Sequence, residues 1–294
     1  MVFIFLTMLV PEFIQHLETL LSQKIKNFVS VSGGDISIAY KLQTESDSFF
    51  LKVNKSSYAK QMFSMEALGL STIAELGPLK TPKVFATGTF GINAFLVLEW
   101  IDTKTPSIQD MKLFGTQLAE LHAQTDDQFG FQQDNYIGSL PQSNKRHDNW
   151  LDFYIEERLL PQFELAHHQN YLVTNEVPSS THMKDCCSKF FEGIKPALLH
   201  GDLWNGNYSI SEKGVPYLID PAIYYGHHEI DIAMTKLFGG FGESFYGSYH
   251  KKLATDEFTL NRIELYQLYY LLVHLNLFGR SYYSSVKHIV SKYF

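Results

Sequence analysis

The chain is predicted to be an α+β protein of two lobes, a small antiparallel-sheet lobe with one helix followed by a larger, mainly helical lobe. Three observations predict it. The first hundred residues hold short β-branched and aromatic runs separated by turn residues, with one long helical pattern among them. From Ser107 onward the apolar spacing is helical. Between the two the composition shifts once, near Trp100 to Thr105, which sets the expected lobes at 1–101 and 102–294. With 294 residues and 45% hydrophobic content the chain can fill the core that such a domain needs.

The elements follow in order. From Asn27 to Tyr40, β-branched and polar residues alternate around Gly33-Gly34, which reads as strand, turn, strand. Ser48 to Val53 is a third strand. Tyr58 to Leu76 has helical spacing, with Met62, Met65, Leu68 and Ile73 as expected core positions, and Gly77-Pro78 ends it. Lys83 to Gly88 and Phe95 to Trp100 complete the sheet. Ser107 is an N-cap for a helix running to His122. Phe129 to Asn144, rich in Gly, Asn, Gln and aromatics, reads as a long ordered loop. Trp150 to His168 and Asn175 to Ile194 are further helical patterns, with Pro161 arguing against continuity in the first. Val215 to Ile219 is a short strand, and Glu229 to Phe294 is helical and rich in aromatics.

Bulk properties exclude several classes. A net charge of −7 argues against a nucleic-acid binder, which needs a basic face. Cys186 and Cys187 are adjacent, a geometry that rarely closes an unstrained disulfide, and CxxC spacing is absent, so they read as reduced thiols in a helix. Met1 to Val10 is apolar but lacks a basic n-region and a cleavage site, and it is far short of the roughly 20 residues a membrane span requires. It reads either as a leader packed on the small lobe or as a start placed too early. The expected location is the cytoplasm.

The chemistry is concentrated in His200-Gly201-Asp202-Leu203-Trp204-Asn205-Gly206-Asn207 and in Ile219-Asp220-Pro221. Phosphoryl transfer of the kinase type needs a carboxylate aimed at the acceptor hydroxyl, together with an amide and a second carboxylate for the ions on the ATP phosphates. Asp202, Asn207 and Asp220 form such a set, and the step from Asp202 to Asn207 has the D-x-x-x-x-N spacing of a kinase catalytic loop. Lys52 stands in an apolar strand, an unusual place for lysine, and reads as the phosphate-pairing lysine with Glu66 of the next helix as its partner. Gly33 and Gly34, about 18 residues earlier, form a candidate phosphate-covering turn. The backbone of Glu99, Trp100 and Ile101 would face an adenine edge. Asp231 either caps the helix it opens or braces the catalytic loop.

With these residues in view, the chain resembles the fructosamine/ketosamine-3-kinase family, relatives of the aminoglycoside and choline phosphotransferases that share a protein-kinase-like fold. The resemblance runs from about Val29 to the C-terminus. It is carried by the His200–Asn207 stretch, by Asp220-Pro221-Ala222 with Tyr225-Gly226-His227-His228-Glu229-Ile230-Asp231, and by Phe50-Leu51-Lys52-Val53-Asn54. Asp134-Asn135-Tyr136-Ile137-Gly138 and His274-Leu275-Asn276-Leu277-Phe278-Gly279 extend it. The resemblance implies Asp202 as proton acceptor, Asn207 and Asp220 as Mg²⁺ ligands, a Lys52–Glu66 ion pair, and an adenine hinge at Glu99 to Ile101. It implies ATP-dependent phosphorylation of the 3-hydroxyl of a ketosamine, whose unstable product releases the amine. The implied partner is a small glycated amine, with neither nucleic acid nor membrane, and the chain is expected to be a monomer or weak dimer. Trp204, Asn135, His228 and Phe278 are candidate substrate contacts by motif. One departure is Asp35, where many relatives carry cysteine, so a redox dimer through that turn is not expected. Near ATP phosphates Asp35 would repel unless it points away or binds a cation.

The alternatives are separable. A kinase for another amino sugar, an aminoglycoside or a choline-like alcohol would share the loop without the Trp204 and Tyr225–Asp231 context. A non-catalytic nucleotide-binding module would typically have lost one of Lys52, Asp202, Asn207 or Asp220. A protein kinase would carry His-Arg-Asp, D-F-G and A-P-E, none of which is found here.

Overall fold

A computed structural model describes residues 9–31 and 36–294; Gly33, Gly34 and the first eight residues of the apolar leader lie outside the described residues. The chain begins with helix α1 (Pro11–Leu21), then strands β1 (Asn27–Val31), β2 (Ile38–Gln43) and β3 (Ser48–Asn54). Helix α2 (Ala59–Leu76) follows, then β4 (Val84–Phe90) and β5 (Asn93–Glu99). The five strands form one antiparallel sheet in the order β1-β2-β3-β5-β4.

Successive side chains of a strand alternate between faces. Leu51, Val53, Phe95 and Val97 therefore point to one side, where Leu9, Phe13 and Leu17 cover them. The end of the apolar leader thus packs on the sheet. Phe50, Ala94, Leu96 and Leu98 point to the other side, against Ala59, Phe63 and Leu70 of α2. Lys52 shares this second face by parity. On α2 the positions 59, 63, 66, 70 and 73 form a stripe of three- and four-residue steps. All are buried and apolar except Glu66. Ile73 is core as expected, but Met62, Met65 and Leu68 are only half-buried, because they flank this stripe.

The second lobe starts with α3 (Ile108–Leu121), opened by a capping box. Ser107 Oγ accepts from Asp110 N at 3.2 Å, and Asp110 Oδ2 accepts from Ser107 N at 2.9 Å. The expected loop from Phe129 to Asn144 contains a small hairpin, β6 (Asn135–Ile137) with β7 (Leu140–Gln142). Trp150 to His168 is continuous despite Pro161: α4 (Trp150–Phe153) widens into a π-helical turn (Tyr154–Leu159) and returns to α5 (Leu160–His168). The Glu157 carbonyl, which Pro161 cannot reach with an N–H, accepts instead from Arg158 Nη1 at 2.9 Å. The expected helix from Asn175 to Ile194 is broken. Pro178 separates a 3₁₀ turn (Thr174–Glu176) from α6 (Ser180–Cys187), which ends with both thiols free.

Two small antiparallel pairs carry the central motifs, β8 (Ala197–Leu199) with β11 (Tyr224–Gly226) and β9 (Tyr208–Ile210) with β10 (Pro216–Leu218). Then come α7 (Glu229–Leu237), α8 (Glu243–Tyr249), α9 (Thr259–Phe278) and α10 (Tyr283–Tyr293). Helix α9 is buried on nearly every side, which accounts for its run of Leu and Tyr. A backbone bond joins the two lobes, Leu218 N donating to Lys80 O at 2.8 Å, and the segment that enters the second lobe is tied down by Glu212 N donating to Asp102 O at 3.0 Å. None of the described helices is long and apolar enough to cross a membrane.

Candidate active site

Lys52 is buried, and its Nζ lies 2.8 Å from Glu66 Oε1 and within bonding distance of Asp220 Oδ1. A strand of the first lobe, its helix and a loop of the second lobe thus meet at one ammonium. Burial alone would push that ammonium's pKa down, but the Asp220 and Glu66 carboxylates outweigh it and hold the pKa above the ordinary lysine range. For Glu66, burial prevails over the lysine and raises the carboxyl. Asp220 sits at φ +54°, in the left-handed region that non-glycine residues seldom occupy. Such a conformation at a charged, cleft-facing residue fits a functional requirement better than a structural one.

The loop from His200 to Asn207 is held from behind. Asp231, at the start of α7, accepts from His200 N at 2.7 Å and from Gly201 N at 2.9 Å. Of the two roles read from sequence, bracing the loop is the one its carboxylate performs. Asp231 in turn pairs with His122 Nε2 at 3.1 Å. His200 Nε2–H donates to Ile219 O at 2.8 Å, and its Nδ1 accepts from Asp202 N at 3.2 Å. Burial lowers the His200 pKa, consistent with that neutral tautomer. Tyr270 OH donates to Gly201 O at 2.9 Å.

Asp202 emerges at the cleft. Its Oδ2 accepts from Asn207 Nδ2 at 3.1 Å, and the same nitrogen donates to Asp202 O at 2.8 Å. This fixes the Asn207 amide and leaves its carbonyl oxygen for another partner. Burial first, and the nearby Asp220 charge second, push the Asp202 carboxyl up to about 7. An Asn207 oxygen and an Asp220 carboxylate are the hard oxygen donors that Mg²⁺ prefers. The residues present therefore fit that ion.

A cavity of about 470 Å³ opens beside this cluster, lined by Lys52, Glu66, Asp202, Asn207 and Asp220. Met62 and Met65 line it too, which explains why they are not core. Trp204 and Phe278 line the cavity and are partly exposed. The Trp204 ring lies over Gly206, where a Cβ would come within 2.4 Å of it, so the Trp–Asn–Gly run is one packed unit. Asn135 lines the cavity, but its amide is engaged: Nδ2 donates to Ile223 O and Oδ1 accepts from Gln142 Nε2, both at 2.8 Å. Its role there is to hold the hairpin.

His228 is not brought to the cavity. It faces the interior, with Nδ1 2.9 Å from Tyr249 OH, because the start of α7 turns it behind the loop. Glu99 ends β5, Trp100 and Ile101 follow it, and none of the three lines this cavity. The Trp100 ring lies under Lys41 Nζ at 4.2 Å, and its Nε1 donates to Asp102 at 2.8 Å. Sequence reasoning missed His122 and Tyr270, which act on the loop from a distance, and gave His274 no role beyond its motif.

Comparison with known proteins agrees with this geometry. The family model for fructosamine kinase matches residues 9–294. A candidate ketoamine kinase of Enterococcus faecium is 37% identical over 90% of this chain and 94% of its own. The chloroplastic protein-ribulosamine 3-kinase of Arabidopsis thaliana is 38% identical over 92% of this chain and 83% of its own. The crystal structure of a candidate fructosamine-3-kinase from Haemophilus somnus superposes with a TM-score of 0.87 at 27% identity, covering 96% of each chain.

Proposed function

The chain belongs to the fructosamine kinase family and is a kinase-type, ATP-using phosphotransferase; on that premise we propose that it phosphorylates the 3-hydroxyl of ketosamines, the fructosamine and ribulosamine adducts of amines. The observation that carries the reading is the convergence of Lys52, Glu66, Asp202, Asn207 and Asp220 on one wall of a cavity sized for a small molecule. The residues then take the following roles. Lys52, held by Glu66, pairs with the ATP phosphates. Asn207 and Asp220 hold Mg²⁺, which when bound neutralises charge on the transferring phosphoryl group. Asp202 orients the sugar hydroxyl and accepts its proton as that oxygen bonds to the γ-phosphorus and ADP departs. Most of the acceleration comes from positioning and charge stabilisation. The phosphorylated product is unstable and frees its amine, so the activity amounts to deglycation.

The nucleotide's adenine is assigned to the backbone of Glu99 to Ile101, because β5 pairs directly with the Lys52 strand. Gly33 and Gly34 remain the candidate phosphate cover. The lobes divide at 101/102, between the end of β5 and the start of α3. The chain acts in the cytoplasm as a monomer or weak dimer, on a small glycated amine, with neither nucleic acid nor membrane as partner.

The test is ATP consumption by purified protein with Mg²⁺ and a panel of ribuloselysine, fructoselysine, kanamycin and choline. Turnover is expected on a ketosamine and is expected to vanish in Asp202→Asn, with ATP binding largely kept. More than a few per cent of activity in that variant would remove Asp202 from its role. Turnover only on kanamycin or choline would overturn the substrate assignment while leaving the phosphotransferase chemistry in place.

A further inference from the structure

Helix α2 carries Glu66, and two stripes run along it. The one already described covers the sheet. The other, Tyr58, Gln61, Met65 and Gly69, recurs at steps of three and four and turns toward the second lobe. Its two ends touch that lobe on either side of Glu66. At the far end Gly69 lies against Pro221, the residue after Asp220; a Cβ there would come within 3.0 Å of Pro221 Cγ and 3.5 Å of Ile223 Cγ2. At the near end the helix meets the β6–β7 hairpin. The Tyr136 ring stacks on Tyr58, with centroids 5.9 Å and planes 26° apart, and its OH donates to Gln61 Oε1 at 3.1 Å.

The hairpin is itself tied to the segment that follows Asp220. Asn135 Nδ2 donates to Ile223 O, and Gln142 Nε2 donates to Asn135 Oδ1 at 2.8 Å and to Ala222 O at 3.3 Å. Tyr269 OH of α9 donates to Gln142 Oε1 at 2.5 Å. Asn135, Gln142 and Tyr269 are all buried, so the hairpin is a fixed part of the second lobe rather than a lid. A closed circuit results. The Asp220 segment holds the hairpin, Tyr136 holds α2, and α2 presents Glu66 to Lys52, which returns to Asp220. One contact with Pro221 would give the helix a pivot. A second, on the other side of Glu66, fixes its angle to the second lobe.

We propose that Tyr136 is a positioning residue for phosphoryl transfer: it holds the start of α2 to the second lobe and so sets Glu66, and through it Lys52, against Asp220. The inference rests on the roles given above to Lys52 and Glu66, and it is independent of which acceptor the chain phosphorylates. A displacement of about 1 Å at a reacting group can cost about 100-fold in rate, so a contact this far from the phosphates is enough to matter.

The test is steady-state kinetics in ATP and in whichever acceptor of the panel above is turned over. Tyr136→Ala removes both the stack and the hydrogen bond; Tyr136→Phe keeps the stack; Gln61→Met removes the bond from the α2 side. Tyr136→Ala is expected to lower kcat/KM for ATP by about 10- to 100-fold, while KM for the acceptor moves less than about 3-fold. Tyr136→Phe and Gln61→Met are expected to lose about 2- to 10-fold each, and together no more than either alone, since they remove one shared bond. In a Glu66→Gln chain, Tyr136→Ala is expected to cost less than about 3-fold further, because its effect passes through Glu66. A rise in the acceptor KM with kcat/KM for ATP kept would make Tyr136 a substrate contact and overturn the proposal. The full loss repeated in the Glu66→Gln chain, or no loss in any of the three variants, overturns it too. If Tyr136→Ala does not fold, Tyr136→Phe and Gln61→Met decide by the same criteria. If Glu66→Gln alone costs nothing, the Lys52–Glu66 assignment fails, and this inference with it. If the panel yields no acceptor, the ketosamine reading fails instead, and the same ratios are read from hydrolysis of ATP.

Discussion

Gly201 holds φ +85°, and a Cβ placed on it would lie 2.1 Å from Ala222 O, a backbone atom that cannot step aside. The conformation and the contact both require glycine, and both bear on the neighbouring Asp202. Ala222 N donates to His200 O at 2.8 Å, so the two segments are stitched together at that point. Gly201→Ala is therefore expected to cost about 3 kcal/mol or more in urea unfolding, beyond the range of an ordinary point change. Whatever folds should lose kcat with Asp202 displaced. A stability loss below about 1 kcal/mol would show that the loop relaxes freely and that its geometry is not fixed here. The same residue scale explains why the central motif was readable at all. Asp202, Asn207 and Asp220 lie within one short loop and strand pair, so spacing alone brings them together. Lys52 was readable because it breaks an apolar strand, and Glu66 followed from it as the partner that the next helix offers.

The π-turn from Tyr154 to Leu159 is organised around one side chain. Arg158 is fully buried, and among the described residues no carboxylate forms an ion pair with it. Its guanidinium donates to Ser143 O at 2.5 Å, Asn144 Oδ1 at 2.7 Å and Glu157 O, and lies over the Tyr224 ring at 3.9 Å. It thereby ties the end of the hairpin to β11, just after Asp220. Three acceptors and an aromatic face around one guanidinium suit its planar fork of donors better than an ammonium, so Arg158→Lys is expected to lower stability by about 2–3 kcal/mol in denaturant titration. A change under about 0.5 kcal/mol would mean that lysine satisfies the same carbonyls. Elements of this kind were the least legible. The hairpin's three-residue strands, one containing Pro141, carry no β-branched run, and their partners are distant in sequence. Pro161 signalled a break that the wider π-turn absorbs, whereas Pro178 delivered the break that the helical pattern concealed. The stripe on α2 was misassigned to the methionines because periodicity marks an apolar face without saying whether core or cleft lies against it. His228 failed as a contact for the complementary reason, since its motif fixes the helix start but not the direction of the ring.

The whole molecule is two lobes closed over an unbalanced charge cluster, in which Lys52 faces the carboxylates of Glu66 and Asp220, with Asp202 beside them. Burial raises Asp202 to about 7 from an ordinary value of 3.8. Between those two pH values the folded chain holds a proton on this group that the unfolded chain has lost. Stability of the ligand-free protein therefore falls as pH rises through that window, by at most about 1.4 kcal/mol per pH unit for one proton. This is opposite in sign to a carboxylate whose folded pKa is depressed. Above about 7 the penalty is fully present; below about 4 it is absent. Asp202→Asn removes the charge and should melt higher than the unmodified chain at pH 8, while the two curves should meet near pH 4. For a chain of this size each kcal/mol corresponds to about 2–4 °C. Turnover should run the other way: the base works as carboxylate, so kcat/KM is expected to climb as pH rises through about 7. The Mg²⁺ ion, rather than the nucleotide, brings positive charge to the cluster and should narrow the pH 8 melting gap, because it offsets a repulsion between Asp202 and Asp220 that the Asn variant lacks. Melting curves of both proteins at pH 5 and 8, with and without ATP and Mg²⁺, decide the matter. If Asp202→Asn melts no higher than the unmodified chain at pH 8, the cluster is not electrostatically strained and the lobes are held by packing alone.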